Sequence, residues 1–263
     1  MCTVDGQGAY LKVTPAMLGA EAIAAALREL RFYQDLAPLA PVRTPRLFGH
    51  LDTEDGVAVL LEAAGEAQEP GAWTPRMWAD LGRELAGLHS MPLPTKAEWT
   101  RPDALREALA DPDLEQINAF WAPTLPQLPE LLAHRAELGD QMDAVPPVFI
   151  HGDCHTDNLV YSRGAGSVVF CDWQAAGIGR PASDLAFLSV RATPAGMTAP
   201  QALIDAYVDS RPCERHTLRS ALLAEELAVF LLLWPSFAAF NSVLGIARVR
   251  RRTLEIAERW LDA

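Results

Sequence analysis

The sequence predicts an α+β chain in two lobes, a small β-rich lobe over residues 1–65 and a larger, mainly helical lobe over 66–263. Three observations carry this. Short apolar runs bounded by turn residues surround a single helical stretch in the first lobe. From Thr74 onward apolar residues recur at three- and four-residue steps, and after Asp184 helical spacing persists to the C-terminus. Between these regions, two runs interrupt the helical rhythm with short apolar strands flanked by carboxylates. They are Phe149-Ile-His-Gly-Asp-Cys-His-Thr-Asp-Asn158 and Val168-Val-Phe-Cys-Asp-Trp173.

In chain order, Asp5-Gly-Gln-Gly8 is a turn, and Ala9-Tyr-Leu-Lys-Val13 reads as a strand with Lys12 inside it. Residues 18–36 have helical spacing through Ile23, Leu27, Leu30 and Tyr33, with Glu29 in mid-helix. Pro38, Pro41 and Pro45 end that helix. Asp52-Thr-Glu-Asp-Gly56 is a hairpin turn before a buried strand at 57–61, and Glu62-Ala-Ala-Gly65 follows directly. Thr74 caps the next helix with Pro75 in its first turn, and Met77, Leu81, Leu85 and Leu88 form its apolar face. Prolines punctuate shorter helical pieces up to a helix at about 128–142. The apolar runs 148–150 and 167–171 read as two strands joined by a hairpin, with turn chemistry in Ser162-Arg-Gly-Ala-Gly166. Helices at about 201–210, 214–240 and 242–262 complete the chain.

Half of the 263 residues are hydrophobic and 21% charged, which predicts a real core rather than disorder. A net charge of −12 opposes nucleic acid or an anionic membrane as partner, and the same field favours a cationic small molecule. The four cysteines show no paired spacing, and no signal-like segment opens the chain, so they read as reduced thiols in a cytoplasmic protein. The most apolar stretch, 221–240, contains Glu225, Glu226 and Pro235 and reads as a buried helix. Arg248, Arg250, Arg251 and Arg252 read as a solvated face. The oligomeric state is left open.

The chemistry concentrates at the two interrupting runs. A hairpin there brings Asp153, Asn158 and Asp172 to one point, and two carboxylates with an amide oxygen suit a hard cation such as Mg²⁺. His151 and His155 read as hydrogen-bonding scaffold, and Asp184 as a brace.

The order of these motifs resembles the aminoglycoside phosphotransferase / choline kinase-like family, small-molecule relatives of the protein kinases. His151-Gly-Asp153-x-His155-x-x-Asn158 and the later Asp172 are its most specific marks here. Leu81-Gly-Arg-Glu-Leu-Ala-Gly-Leu-His89 and Pro181-Ala-Ser-Asp-Leu185 are also similar to the family pattern. The resemblance implies a two-lobed protein-kinase-like fold and transfer of the ATP γ-phosphate to a hydroxyl of a small, by charge cationic, acceptor. It implies Asp153 as catalytic base, Asn158 and Asp172 as Mg²⁺ ligands, and Lys12 on the α- and β-phosphates, oriented by Glu29. The main chain of Glu62 and Ala64 would meet adenine. Glu225 or Glu226, inside an apolar helix, is either partnered or turned toward the acceptor.

Two rivals remain at this stage. Asp153-Cys-His155 has the D-x-H form of a metal-dependent phosphoesterase, but the later histidine and asparagine ligands are missing; His151, Cys154 and His155 lack a distant fourth ligand for zinc. Only eleven residues precede Lys12, which makes the first lobe look abbreviated, without a phosphate-covering loop. A nucleotide-binding pseudo-kinase is the alternative this raises.

Overall fold

The computed structural model describes residues 2–162, 167–211 and 213–263. In chain order the elements begin with β1 (Cys2–Val4), β2 (Gln7–Pro15), α1 (Ala20–Arg31), β3 (Leu47–Thr53), β4 (Gly56–Glu62), β5 (Glu66–Ala67) and α2 (Pro75–Leu88). Then come α3 (Ala104–Ala110), α4 (Leu114–Trp121), α5 (Leu128–Ala133), α6 (Arg135–Met142), β6 (Val148–Ile150), β7 (Leu159–Ser162), β8 (Ser167–Phe170) and β9 (Gly177–Gly179). The chain closes with α7 (Pro181–Ala192), α8 (Gln201–Ser210), α9 (Arg215–Ala228), α10 (Trp234–Phe237) and α11 (Val243–Leu261). The chain is α+β, with a small antiparallel sheet at its start and a mainly helical remainder.

The contacts divide the chain into two compact units, each assembled from separate segments. The first holds Met1–Arg101, Val148–Gly179 and Gln201–Arg211. Its main sheet has the order β1-β2-β4-β3, all antiparallel, with Lys12 opposite Val59. β4 alternates between buried and half-buried residues, as expected of a strand with one covered face. The helix predicted at 18–36 starts at Ala20, behind Gly19 at φ 94°, and winds wider after Arg31, where Phe32–Leu36 is a π-helical turn.

The predicted hairpin is corrected in its pairing. The run 148–150 is β6, but its partner is β9, with Phe149 opposite Ile178. The partner of β8 is β7, with Leu159 opposite Phe170. The strand of the hairpin is therefore 159–162, whose apolar Leu-Val-Tyr lies hidden directly behind the polar Thr156-Asp-Asn158. Most of the turn assigned to 162–166 lies outside the described residues.

Under this half of the chain lies an aromatic block. Phe32 stacks on Trp173 at 3.7 Å between ring centres and lies parallel to Phe149 at 6.2 Å. Trp99 meets Phe149 edge-on. Phe32, Phe149, Trp99 and Trp173 are essentially fully buried. Each such ring removes roughly 150–250 Å² from water. α8 packs closely on α2: a Cβ on Gly82 would stand 2.3 Å from the Leu203 carbonyl, so that position must be glycine.

The second unit holds Pro102–Pro147, Arg180–Pro200 and Pro212–Ala263. Its core joins Leu105, Ile117, Trp121, Leu131, Leu138 and Met142 to Leu227, Phe230, Val249 and Ile256. Arg215–Phe240 is long and apolar enough to cross a membrane, yet much of it is buried inside this core, as the sequence led us to expect. The helix expected over 128–142 breaks at His134, the shared boundary of α5 and α6, whose backbone leaves the helical region.

Glu225 and Glu226 are both buried and both partnered. Arg180 donates from Nε to Glu225 Oε2 at 2.7 Å and from Nη2 to Oε1 at 3.1 Å, and Ser183 Oγ donates to Oε1 at 2.6 Å. Arg180 also pairs with Asp103. Arg252 holds Glu226 through Nε and Nη2 at 2.8 and 2.9 Å. These contacts assign both glutamates to the core of the unit. Of the four arginines expected on a solvated face, Arg251 is exposed while Arg248, Arg250 and Arg252 are half-buried.

Candidate active site

Lys12 lies on β2, and its ammonium lies 2.8 Å from Glu29 Oε2 on α1 and 2.9 Å from Asp172 Oδ1 after β8. Three segments far apart in sequence thus meet at one nitrogen. Glu29 is buried and meets Lys12, while Arg28 and Arg31, one and two positions away, lie on other faces of the helix. Arg28 is spent elsewhere: Nη1 donates to the carbonyls of Glu98 and Ala176, both at 3.0 Å. It thereby ties α1 to the segment that follows Asp172, a positioning contact that the sequence did not signal.

Burial raises the Glu29 pKa; the charge and hydrogen bond of Lys12 oppose this, and the Trp173 main-chain N–H also donates to the carboxylate. The net direction is upward. Lys12 also ends above its ordinary value: burial works against its charge, but Glu29 and Asp172 outweigh it.

Asp153 and Asn158 are locked to each other. The Asn158 amide donates to the Asp153 carbonyl and to Asp153 Oδ2, both at 2.9 Å. With both amide hydrogens used, the Asn158 Oδ1 is the group left to act as a ligand. The Asn158 carbonyl in turn accepts from the Cys171 N–H at 2.9 Å. His151, fully buried, bridges the same elements from the other side. Its Nε2 donates to the Cys171 carbonyl at 2.8 Å and its Nδ1 accepts from the Asp153 N–H at 3.3 Å. Cys171 is therefore held by both Asn158 and His151, and Asp172 is the next residue.

The backbone is specialised at two points here. Gly152 has φ +81°, and a Cβ on it would stand 2.2 Å from the Ala175 carbonyl, so only glycine fits between His151 and Asp153. Asp172 has φ 60° and ψ 71°, a left-handed conformation that costs a non-glycine residue about 1–3 kcal/mol. Such strain persists where surrounding structure holds it, and here Lys12, the Trp173 ring stacked on Phe32 and the Cys171 contacts do so.

Burial raises the Asp153 pKa, but the hydrogen bond and charge of His155, with the nearby His151 and the Asn158 amide, outweigh it and leave it below 3.8. His155 Nε2 stands 3.6 Å from Asp153 Oδ2, and its Nδ1 accepts from the Asp157 N–H at 3.4 Å. Both histidines are thus braces of the loop. Burial, with the charges of Glu29 and Asp172, pushes the Cys171 thiol up to about 12.

Glu62 and Ala64 lie at and past the end of β4. The Glu62 N–H donates to the Arg46 carbonyl and the Ala63 N–H to the Gly8 carbonyl, both at 2.9 Å. Glu62 lines a cavity of about 520 Å³ with Gln7, Gly8, Arg46 and Ala63. Neither residue touches the Lys12 cluster in any described contact.

The donor set fits a divalent ion held jointly with a nucleotide. Among the described residues no group of three or more His, Cys, Asp and Glu side chains is placed to hold a metal alone. One carboxylate and one amide oxygen are instead the sparse, hard set that Mg²⁺ accepts when phosphates and water fill the remainder. Glu29, Asp153 and Asp172 against Lys12 leave two negative charges, which a phosphate chain without a cation would meet unfavourably.

The fold is one that solved small-molecule kinases share. The chain belongs to the phosphotransferase enzyme family, whose pattern it matches over residues 3–220. Among solved structures it is similar to a microcompartment-associated aminopropanol kinase at 17% identity, covering 98% of this chain and 87% of that one, with a TM-score of 0.68. It is also similar to an aminoglycoside phosphotransferase of Streptomyces rimosus in complex with ADP and streptomycin, at 21% identity, 85% and 88% coverage and TM-score 0.54. A third is an amicoumacin kinase in complex with AMP-PNP and Ca²⁺, at 14% identity, 95% and 82% coverage and TM-score 0.57. No curated protein matches the chain.

Proposed function

We propose that the protein moves the γ-phosphate of ATP to a hydroxyl of a small molecule, with Mg²⁺ as cofactor. The observation that carries this is the double contact of Lys12 with Glu29 and Asp172 beside the locked Asp153–Asn158 pair. In this reading Lys12 binds the α- and β-phosphates and Glu29 keeps its ammonium in place. Asn158 Oδ1 and Asp172 hold the metal, which when bound neutralises charge on the β- and γ-phosphates. Asp153, ionised, accepts the proton of the acceptor hydroxyl as the hydroxyl oxygen bonds to the γ-phosphorus. The bond from that phosphorus to the β–γ bridging oxygen breaks, and ADP leaves with the electron pair. The main chain of Glu62 and Ala64 meets the adenine edge.

Residues 1–65 would serve the nucleotide, and 66–263 the catalytic loop and the acceptor. The chain's acidity favours a cationic acceptor, and streptomycin and aminopropanol, named with the similar kinases, are amino alcohols of that kind. The test is thermal unfolding with and without MgATP, followed by γ-phosphate transfer to a panel of amino alcohols and neutral sugars. A ligand at about 100 times its Kd stabilises by about 2.7 kcal/mol, which a melt resolves easily. Stabilisation without transfer to any acceptor would favour the pseudo-kinase reading. Phosphatase activity dependent on Mn²⁺ or Zn²⁺ would favour a phosphoesterase.

A further inference from the structure

We propose that the second unit carries a separate binding site for a small amphiphilic acid, an apolar body ending in one oxyanion. The site is a groove of about 880 Å³ walled by Phe120 of α4 and by Val243, Ile246, Arg250, Arg251 and Leu254 of α11. That volume is in the range of small-molecule sites, about 300–1,000 Å³.

Arg250 points to the class of ligand. Its Nη2 donates to the Phe120 carbonyl at 3.0 Å, and its guanidinium carbon stands 4.7 Å from the Phe120 ring centre. The side chain is therefore fixed on two sides. Its Nε is buried with essentially no exposed surface and, among the described residues, has no acceptor, so a ligand in the groove would meet the guanidinium at its outer nitrogens. A buried guanidinium N–H without a partner is rare and costly. The next residue but one shows the contrast: Arg252 uses both Nε and Nη2 on Glu226. No carboxylate among the described residues pairs with Arg250, so within the protein its charge meets a carbonyl and a ring, and solvent reaches the rest of this half-buried side chain. Arg251, on the rim, has only a loose pairing with Glu255 at 3.7 Å. In a chain of net charge −12 this groove is a local reversal of sign.

The tail of the ligand has a matching surface. Phe237, Phe240, Val243 and Leu244, at the turn into α11, are exposed by 52%, 85%, 86% and 60%. This apolar lip adjoins the groove through Val243 and continues it into solvent. A guanidinium fixed on the groove wall with no carboxylate paired to it, and an apolar wall beyond, fit one acid group on one hydrocarbon body. The reading is independent of the phosphotransferase site.

Sodium decanoate, below its micelle concentration, is the probe, titrated into the full chain by calorimetry. Saturable binding is expected, with 1-decanol at least about tenfold weaker because it lacks the charge for Arg250. Arg250→Ala should weaken decanoate by a similar factor while leaving decanol unchanged, and Ala247→Trp, which fills the groove, should remove both. Should Arg250→Ala fail to fold, the decanoate–decanol ratio and Ala247→Trp still decide. Equal binding of acid and alcohol, or no saturable binding, overturns the proposal. So does a result in which Ala247→Trp alters only self-association in sedimentation, or only binding to anionic vesicles. The face would then belong to a second copy or to a bilayer.

Discussion

Replacing Glu225 by glutamine separates a structural role from an acceptor-binding one. The carboxylate is 3% exposed and receives two hydrogen bonds from Arg180, itself 10% exposed, and one from Ser183. Glutamine keeps the volume but removes the charge and turns an N–H toward one of these donors. Breaking a buried pair by neutralising one partner costs about 3–5 kcal/mol. Here Arg180 retains Asp103, a partner 34% exposed and therefore weakened by solvent, so the lower end, about 3 kcal/mol, applies. For a chain of this size roughly 2–4 °C is lost per kcal/mol, giving a fall in Tm of about 6–12 °C. Calorimetric melts of the wild type, Glu225→Gln, Arg180→Met and the double variant complete a cycle in which the coupling should be about 2–3 kcal/mol. The KM for the acceptor should stay unchanged where the variant is folded. A Tm within about 2 °C of wild type, together with a raised acceptor KM, would refute the structural assignment.

Asp153→Asn should lower kcat by roughly 10²–10⁴ while leaving MgATP stabilisation intact. Lys12→Met should weaken nucleotide binding by about 1.5–3 kcal/mol, read as the shift in Kd, and Glu29→Gln should do so less. Gly152→Ala must move the Ala175 carbonyl or the loop, so it should melt earlier and lose most activity even though no functional group is removed. Alkylation mapped by mass spectrometry at pH about 8 should mark exposed Cys2 well before Cys171, whose thiol is held near 12.

Much of the candidate site was legible because its chemistry is crowded into short runs. Asp153, Asn158 and Asp172 stand out as polar groups flanking apolar strands, and that feature survives ignorance of which strand pairs with which. The pairing itself was not legible. β6 and β9 are three residues each, and β9 is Gly-Ile-Gly, too short and too glycine-rich to show a period. The real partner of β8 begins one residue after Asn158, so its apolar start reads as the tail of the polar motif. Arg28 shows a different blindness. Its partners are main-chain carbonyls of Glu98, Thr100 and Ala176, and a carbonyl has no letter in the sequence. The orphaned Nε of Arg250 is invisible for the same reason, since an absent partner leaves no pattern.

The pH response of Asp153 follows from the loop that holds it. Burial would favour the protonated form, but His155, His151 and the Asn158 amide favour the anion more strongly, so its folded pKa is depressed below 3.8. A depressed carboxylate stabilises the fold fully above its unfolded value and loses that contribution as pH falls through the folded one. The carboxylate proposed as base is therefore ionised across the neutral range, and kcat/KM between about pH 5 and 7 should show no acid limb that depends on Asp153. His155→Gln keeps a polar side chain but removes the ring that stands 3.6 Å from Oδ2. It should move the Asp153 carboxyl signal in NMR titration upward, and lift the acid edge of the melting curve with it. An unchanged Asp153 titration would mean that His155 braces the loop without tuning the carboxylate, and that His151 and Asn158 set its charge state.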